Sequence, residues 1–569
     1  MITRPEPAVA TTPPSAIRGS RLALALIVAA SALAGPAAGG ASAATSPSTS
    51  TACTNYMNSF LSQAAAGTWS SPMQTVAMTV PASINNPAVS GTTTSPQTVT
   101  VTFTAYDASG QPVTPSPSNP LQVAIYSQLG AISAAGQPLT GADPYSFTVT
   151  SGNSFSFTYN GTYLNRPPTV TAWMTLASTN QCTGTANKAI GSTVLPLANV
   201  PTKMGSVSYL TPTVCKTGTG RTCAQANVQT NGLWLNAAVG FGKPMPGVGG
   251  STTRPTSSNF DQYQIDTGSI GAVAPVTDLG PNVVGPGAPS WKYYDSSGFE
   301  FAGFTYLAPV TLSMKGVKPF GNPVRMLGVV TSACAPNKPC SGPPQFSNFH
   351  YMGVGIDREN NTSADPFASP GDNALLSIRS TNSNPISQGY LLSGGSIRVG
   401  LTAATGVTYT KQQLAPNPDN PGDWNAAAGC VAFPTPGSPP PTPLCGSLLM
   451  DVGIQQMYVS VAPGNLPAAV QGGLSSTQQV QITSPNSTDP ALNYSFVAGP
   501  RVNNHLTPNP VGRAPSYVSL FTSSTDTSGQ AFTGDVQINT GRYVLFGSNY
   551  MFNAQKGQIG FKNLANPLR

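Results

Sequence analysis

A chain of 569 residues can build two or three domains around a sizeable core. Only 8% of it is charged, and the net charge of +7 is spread over 25 basic and 18 acidic residues without any run of Lys or Arg. The clustered cations that a nucleic-acid binder uses to displace phosphate counterions are therefore missing, and no nucleic-acid partner is expected. With 58 Gly, 56 Pro and an abundance of Thr, Ser and Val, the composition favours short strands and turns, and no long period-3.6 stretch follows the N-terminus.

In chain order, the first predicted element is a targeting segment. Arg18 and Arg21 precede the apolar run Leu22–Ala34, which is too short for a membrane-spanning helix of roughly 20 residues. Small residues follow, and Ala41-Ser42-Ala43 fits signal-peptidase cleavage. Residues 1–43 are thus expected to be a signal peptide that sends the chain to the periplasm, the cell surface or the medium, with no integral membrane segment after cleavage. Ser50-Thr51-Ala52-Cys53 is a weak match to a lipid-anchor site, separated from the apolar run by polar residues. Residues 44–70 read as a polar lead-in.

Residues 71–202 carry strand signals. Gln97–Ala105 alternates Val, Val and Phe with Thr, and Asp107-Ala108-Ser109-Gly110 makes a turn. Leu121–Ile125, Phe147–Thr150, Phe155–Tyr159 and Thr169–Trp173 continue at sandwich-like spacing. The segment resembles the Ig-like β-sandwich modules of secreted bacterial proteins and offers no catalytic cluster. Eight Cys, an even number, suit an oxidising compartment. Proximity suggests that Cys215 pairs with Cys223, Cys334 with Cys340 and Cys430 with Cys445, which leaves Cys53 and Cys182 to close the first domain, although sequence does not fix connectivity. None has metal-ligand spacing to either His, so neither a metal nor a cofactor is expected. Pro434–Pro443 reads as a polyproline-like surface loop bounded by Cys430 and Cys445.

Residues 203–566 contain a repeated half-site. Tyr263-Gln264-Ile265-Asp266-Thr267-Gly268-Ser269 and Leu448-Leu449-Met450-Asp451-Val452-Gly453-Ile454 both run from apolar residues into Asp-x-Gly. Each is followed at similar distance by an apolar-apolar-Gly segment, Tyr351-Met352-Gly353 and Leu545-Phe546-Gly547. A lone Asp-x-Gly is a common turn. Two in series suggest two lobes, each presenting a carboxylate on a tight turn that Gly allows to bend sharply. Carboxylates that meet cannot both ionise, which sets up a base and an acid sharing one water.

These motifs resemble the pepsin-like aspartic peptidases. Asp266-Thr267-Gly268-Ser269 is similar to the first active-site motif, and Val544–Asn553 followed by Lys556–Phe561 to the closing segment. Trp291–Leu312 is similar to the first-lobe hairpin over the cleft, with Tyr294, or else Tyr293, as its tyrosine. Gly395–Gly400 is similar to strands late in the first lobe. The resemblance spans about Val207–Lys562. It implies an all-β chain in which the N-terminal sandwich precedes a bilobal double-β domain, with lobe one at about 203–410 and lobe two at about 411–566.

It further implies Asp266 and Asp451 as catalytic carboxylates, Thr267 and Ser269 as braces for Asp266, and an extended peptide or protein as substrate for a monomeric enzyme. The second motif departs from the family. Val452 and Ile454 stand where hydroxyl residues are usual, which removes a bond across the lobes and one to Asp451. Two functions follow as expectations: an exported endopeptidase, or a pseudo-peptidase that binds a peptide or surface partner without cutting it. No Gly-x-Ser-x-Gly elbow exists, Pro244 after Gly242-Lys243 rules out a P-loop, and His350 is expected to be structural.

Overall fold

A computed structural model describes residues 51–65, 76–81, 97–107, 109–126, 132–134, 144–159, 168–180, 182–195, 214–215, 235–243, 260–294, 296–313, 320–335, 340, 349–358, 367, 369–379, 387–394, 396–401, 407–418, 420, 422–486, 488, 490–498, 501–502, 505–506, 515, 518–523 and 534–564. The expected signal peptide lies outside the described residues. Among those residues no helix is long and apolar enough to cross a membrane.

The architecture is all-β. Two sheets pack face to face at the N-terminal end. One contains Val76–Thr79, Gln97–Tyr106, Ser154–Tyr159 and Ile132–Ala134, and the other Tyr145–Val149, Leu121–Tyr126, Thr169–Thr179 and Ala186–Val194. Gln97–Tyr106 alternates exposed Thr with buried Val99, Val101, Phe103 and Ala105, so one face of the pleat is dry. Its inward residues meet Val123, Phe157, Val170 and Met174 from the other strands in a self-contained core.

The largest sheet of the first lobe runs in the order Asn236–Phe241, Asp261–Asp266, Tyr351–Val354, Ile270–Pro275, Pro323–Cys334, Phe299–Leu312, Pro289–Tyr294. Phe299–Leu312 also pairs with Asn236–Phe241, which curls the sheet towards closure. The second lobe has the order Leu492–Val497, Gln479–Ser484, Ala427–Ala432, Leu444–Leu449, Val536–Asn539, Met457–Val461, Val518–Thr522. A third sheet joins the halves: Ser396–Val399 and Gly389–Ser393 from the first pair with Ser548–Asn553, Gln558–Asn563 and Thr410–Gln413. One continuous apolar core runs through both lobes.

Two expectations about the lead-in need correction. Thr51–Ala65 is an α-helix rather than a polar connector. Cys53, Met57, Phe60 and Leu61 recur at helical spacing and are buried on one side, with Phe60 edge-on to Trp291 at 5.5 Å. The stripe is short and its flanks are polar, so it leaves no long periodic signature. Cys53 does bond to Cys182, but both sulfurs lie in the main core, so the bridge fastens the sandwich to the first lobe through the helix instead of closing the sandwich alone.

Cys334–Cys340 and Cys430–Cys445 are paired as proximity suggested. Cys430 and Cys445 face each other across adjacent antiparallel strands and close the hairpin that carries the exposed proline-rich loop. The expected Cys215–Cys223 bridge stays an expectation. Cys223 lies outside the described residues. Cys215 itself ends the two-residue strand Val214–Cys215, at the edge of the first lobe's sheet beside Asn236–Phe241.

Candidate active site

Each half builds its Asp turn with the same strand crossing. Asp261–Asp266 runs parallel to Tyr351–Val354 with Asp266 opposite Gly353, and Ile270–Pro275 runs antiparallel along the other side. In the second half, Leu444–Leu449 runs parallel to Val536–Asn539, and Met457–Val461 runs antiparallel beside it. The register, extended by the bond from Thr540 N–H to the Leu449 carbonyl, brings Asp451 opposite Gly541.

This corrects the expected repeat. The partner of Tyr351-Met352-Gly353 is Asn539-Thr540-Gly541, whereas Leu545-Phe546-Gly547 lies in and just after the 3-10 helix Arg542–Phe546. The polar residues Asn539 and Thr540 conceal the match, because they break the apolar-apolar-Gly pattern.

The two turns meet. A Cβ on Gly268 would stand 2.5 Å from Oδ2 of Asp451, and one on Gly453 would stand 2.2 Å from Oδ1 of Asp266. Each glycine leaves room for the opposite carboxylate. Neither has a positive φ, so the glycines serve close approach and not the sharp bend expected from the sequence.

Both carboxylates are buried. Asp266 accepts from Gly268 N–H at 2.7 Å and from the Ser269 hydroxyl at 2.5 Å. Asp451 accepts from Gly453 N–H at 2.9 Å and from Asn539 Nδ2 at 2.8 Å. Asn539 thus supplies the donor that Ile454 lacks, and its own Oδ1 accepts from Gly541 N–H at 3.1 Å. Ser269 and Asn539 hold the two acids from matching sides although they occupy different places in the repeat.

Beside the dyad, the Thr267 and Gln264 side chains bond to the opposite turn. The Thr267 hydroxyl donates to the Met450 carbonyl and accepts from Val452 N–H at 2.9 Å. Gln264 Nε2 donates to the Gly453 carbonyl at 2.8 Å. Val452, fully buried in the apolar core, cannot return the Thr267 contact, and Gln264 supplies a second tie from the opposite lobe.

Burial and then the nearby charge of Asp266 push the Asp451 carboxyl up to about 8, against the opposing bonds from Asn539 and Gly453. The pair therefore holds one proton well above the ordinary carboxylate range. The Tyr351 phenol is hydrogen-bonded to Gln264 and raised by burial and by the charges of both acids. The buried Arg542 guanidinium, lowered to about 10 by desolvation, is the cation whose field reaches Tyr351.

Sequence reasoning assigned no role to Gln264, Tyr351, Asn539 or Arg542. Position two before the Gly that faces each Asp is the signal that marks Tyr351 and Asn539 together.

Tyr294 sits on the expected hairpin, between Pro289–Tyr294 and Phe299–Leu312. It does not stand free over a cleft. Its buried ring lies 5.0 Å from Tyr351, 5.8 Å from Phe349 and 5.9 Å from Phe301, in an aromatic cluster that backs the dyad. The Lys292 ammonium lies 5.9 Å from the Tyr294 ring centre and donates to the Ile270 carbonyl at 2.8 Å.

No protein-family model and no curated protein matches the chain. Among solved structures it is similar to an aspartic proteinase from Irpex lacteus. The likeness has a TM-score of 0.34 and 12% identity, and it covers 63% of this chain and 98% of that chain.

Chemically, the site offers one proton shared by two buried carboxylates, fixed by four lateral donors. Among the described residues, the one group of three potential metal ligands lies elsewhere in the first lobe, at Asp261, Asp278 and His350.

Proposed function

We propose that the chain is an exported aspartic endopeptidase of pepsin-like architecture. The observation that carries this reading is the contact of Asp266 and Asp451 across two glycines, with the shared proton raised onto Asp451. A water held between the two acids would lose a proton to Asp266 as it attacks the scissile carbonyl, while Asp451 donates its proton to the carbonyl oxygen. Thr267, Ser269, Gln264 and Asn539 keep the acids in register, so the chain itself supplies the preorganisation the step needs. An extended peptide or protein substrate suits a cleft between two lobes, and the protein acts as a monomer without a cofactor. Export rests on Arg18, Arg21, the run Leu22–Ala34 and the disulfides.

The second reading, a cleft that binds peptide without cutting, draws on the missing hydroxyls at Val452 and Ile454. The Asn539 and Gln264 contacts weigh against it. The deciding experiment incubates the mature protein with an unfolded protein substrate from pH 3 to 8, with and without a statine-type inhibitor, beside Asp266→Asn. Cleavage abolished by both the inhibitor and the variant supports the peptidase. Binding of the substrate with no cleavage at any pH selects the binding module.

A further inference from the structure

We propose that Asp261, Asp278 and His350 bind one divalent transition-metal ion of the Zn²⁺ class, at the end of the first lobe's strands opposite the dyad. Asp261 opens the strand Asp261–Asp266, His350 stands just ahead of Tyr351–Val354, and Asp278 ends the 3-10 turn Val276–Asp278 that follows Ile270–Pro275. These strands are neighbours in one sheet, so rigid backbone brings the three side chains together. The bond from Gln264 N–H to the His350 carbonyl, 2.9 Å, fixes the histidine's register.

One ligand atom from each residue lies within 4.8 Å of the others, and His350 Nε2 is 2.8 Å from Asp278 Oδ2. A tetrahedral ion with bonds of about 2.0–2.2 Å needs its ligand atoms about 3.4 Å apart, which falls between the 2.8 Å contact and the 4.8 Å limit of this group. The imidazole is already oriented, edge-on to the Tyr263 ring at 5.0 Å, and Tyr263 is in turn held by Phe241 at 5.0 Å.

Two carboxylates and one imidazole converge on a single partly exposed point. Lys243 reaches Asp278 with its charge but is a point ammonium without a coordinating role. A dication would relieve the repulsion between the carboxylates. The donor set of one nitrogen and two oxygens suits Zn²⁺ better than Mg²⁺ or Ca²⁺, which favour oxygen alone. Partial exposure leaves a place for water as fourth ligand. The ligands are too far apart in sequence to form a spacing motif, which is why none was expected.

The test uses the full mature chain with its disulfides intact, stripped with a chelator and titrated calorimetrically with Zn²⁺. The expected result is one ion per chain, with affinity lowered by more than about tenfold in Asp261→Asn and in His350→Gln. Asp266→Asn should bind like the parent, which excludes the dyad as the binding site. The chain has only two His, His350 and His505, so ring resonances give an independent readout on the unmodified protein. Zn²⁺ should shift the His350 signal and leave His505 in place. An unmoved His350 signal, no bound ion, or parental affinity in both ligand variants would overturn the proposal.

Discussion

Adding one methyl group at Gly453 tests the contact on which the dyad rests. In Gly453→Ala the new carbon would lie 2.2 Å from Oδ1, 2.5 Å from Cγ and 3.0 Å from Cβ of Asp266, against about 3.4 Å for ordinary contact. The carboxylate must retreat by about 1 Å, and it cannot do so freely, because Gly268 N–H and the Ser269 hydroxyl hold both of its oxygens. Overpacking of this kind costs about 1–3 kcal/mol of stability. A displacement of about 1 Å at reacting groups lowers rates about a hundredfold. The assay pairs kcat/KM on a peptide substrate with urea unfolding, and Gly472→Ala serves as control because a Cβ there meets nothing within 4 Å. Parental kcat/KM together with parental stability in Gly453→Ala would refute the close approach of Gly453 and Asp266.

Three further outcomes are expected. Asn539→Leu removes a donor that lowers the Asp451 pKa, so the alkaline limb of the pH–rate profile should move upward. A charged hydrogen bond of about 1.5–3 kcal/mol corresponds to about 1–2 pH units, and a limb that stays put or moves down would contradict the role of Asn539. Asp451 stays protonated in the folded chain up to about 8, while the unfolded chain releases this proton near pH 4, so folding stability should fall as pH rises through that window. Asp451→Asn should flatten that fall in denaturant titrations across the same range. Cys182→Ser opens a bridge between residues 129 apart in sequence and should lower stability by about 2–5 kcal/mol, read as a drop in the urea midpoint.

Most of the strand pattern was legible because period-2 alternation is a local property. Gln97–Tyr106 shows its buried face in its own letters, and Asp-x-Gly marked both acid turns. What the sequence hid was set by register and tertiary contact. Asn539 looks like an ordinary polar strand residue until its pairing with Leu449 and Tyr458 is known. Gln264 gains its role only from the facing lobe, and Tyr294 was placed over a cleft because its ring neighbours Phe349 and Tyr351 are distant in sequence. The glycines were found for the wrong reason, since backbone freedom and side-chain clearance leave the same letter. Nearness in sequence found the bridges Cys334–Cys340 and Cys430–Cys445, while Cys223 stays outside the described residues and its bridge to Cys215 remains an expectation. The helix Thr51–Ala65 was missed because four buried residues on one short stripe weigh little against polar flanks.

That helix also limits how the polypeptide can be trimmed. Phe60 fills a place beside Trp291, and Cys53 is tied to Cys182, between the sandwich strands Thr169–Thr179 and Ala186–Val194. A shortened form starting at residue 71 or at 203 would strip an aromatic plug from the first lobe and leave its socket wet. The sandwich and the two-lobed body are therefore one unit for production, and a folded preparation needs both the first turn of that helix and an oxidising route to its bridge.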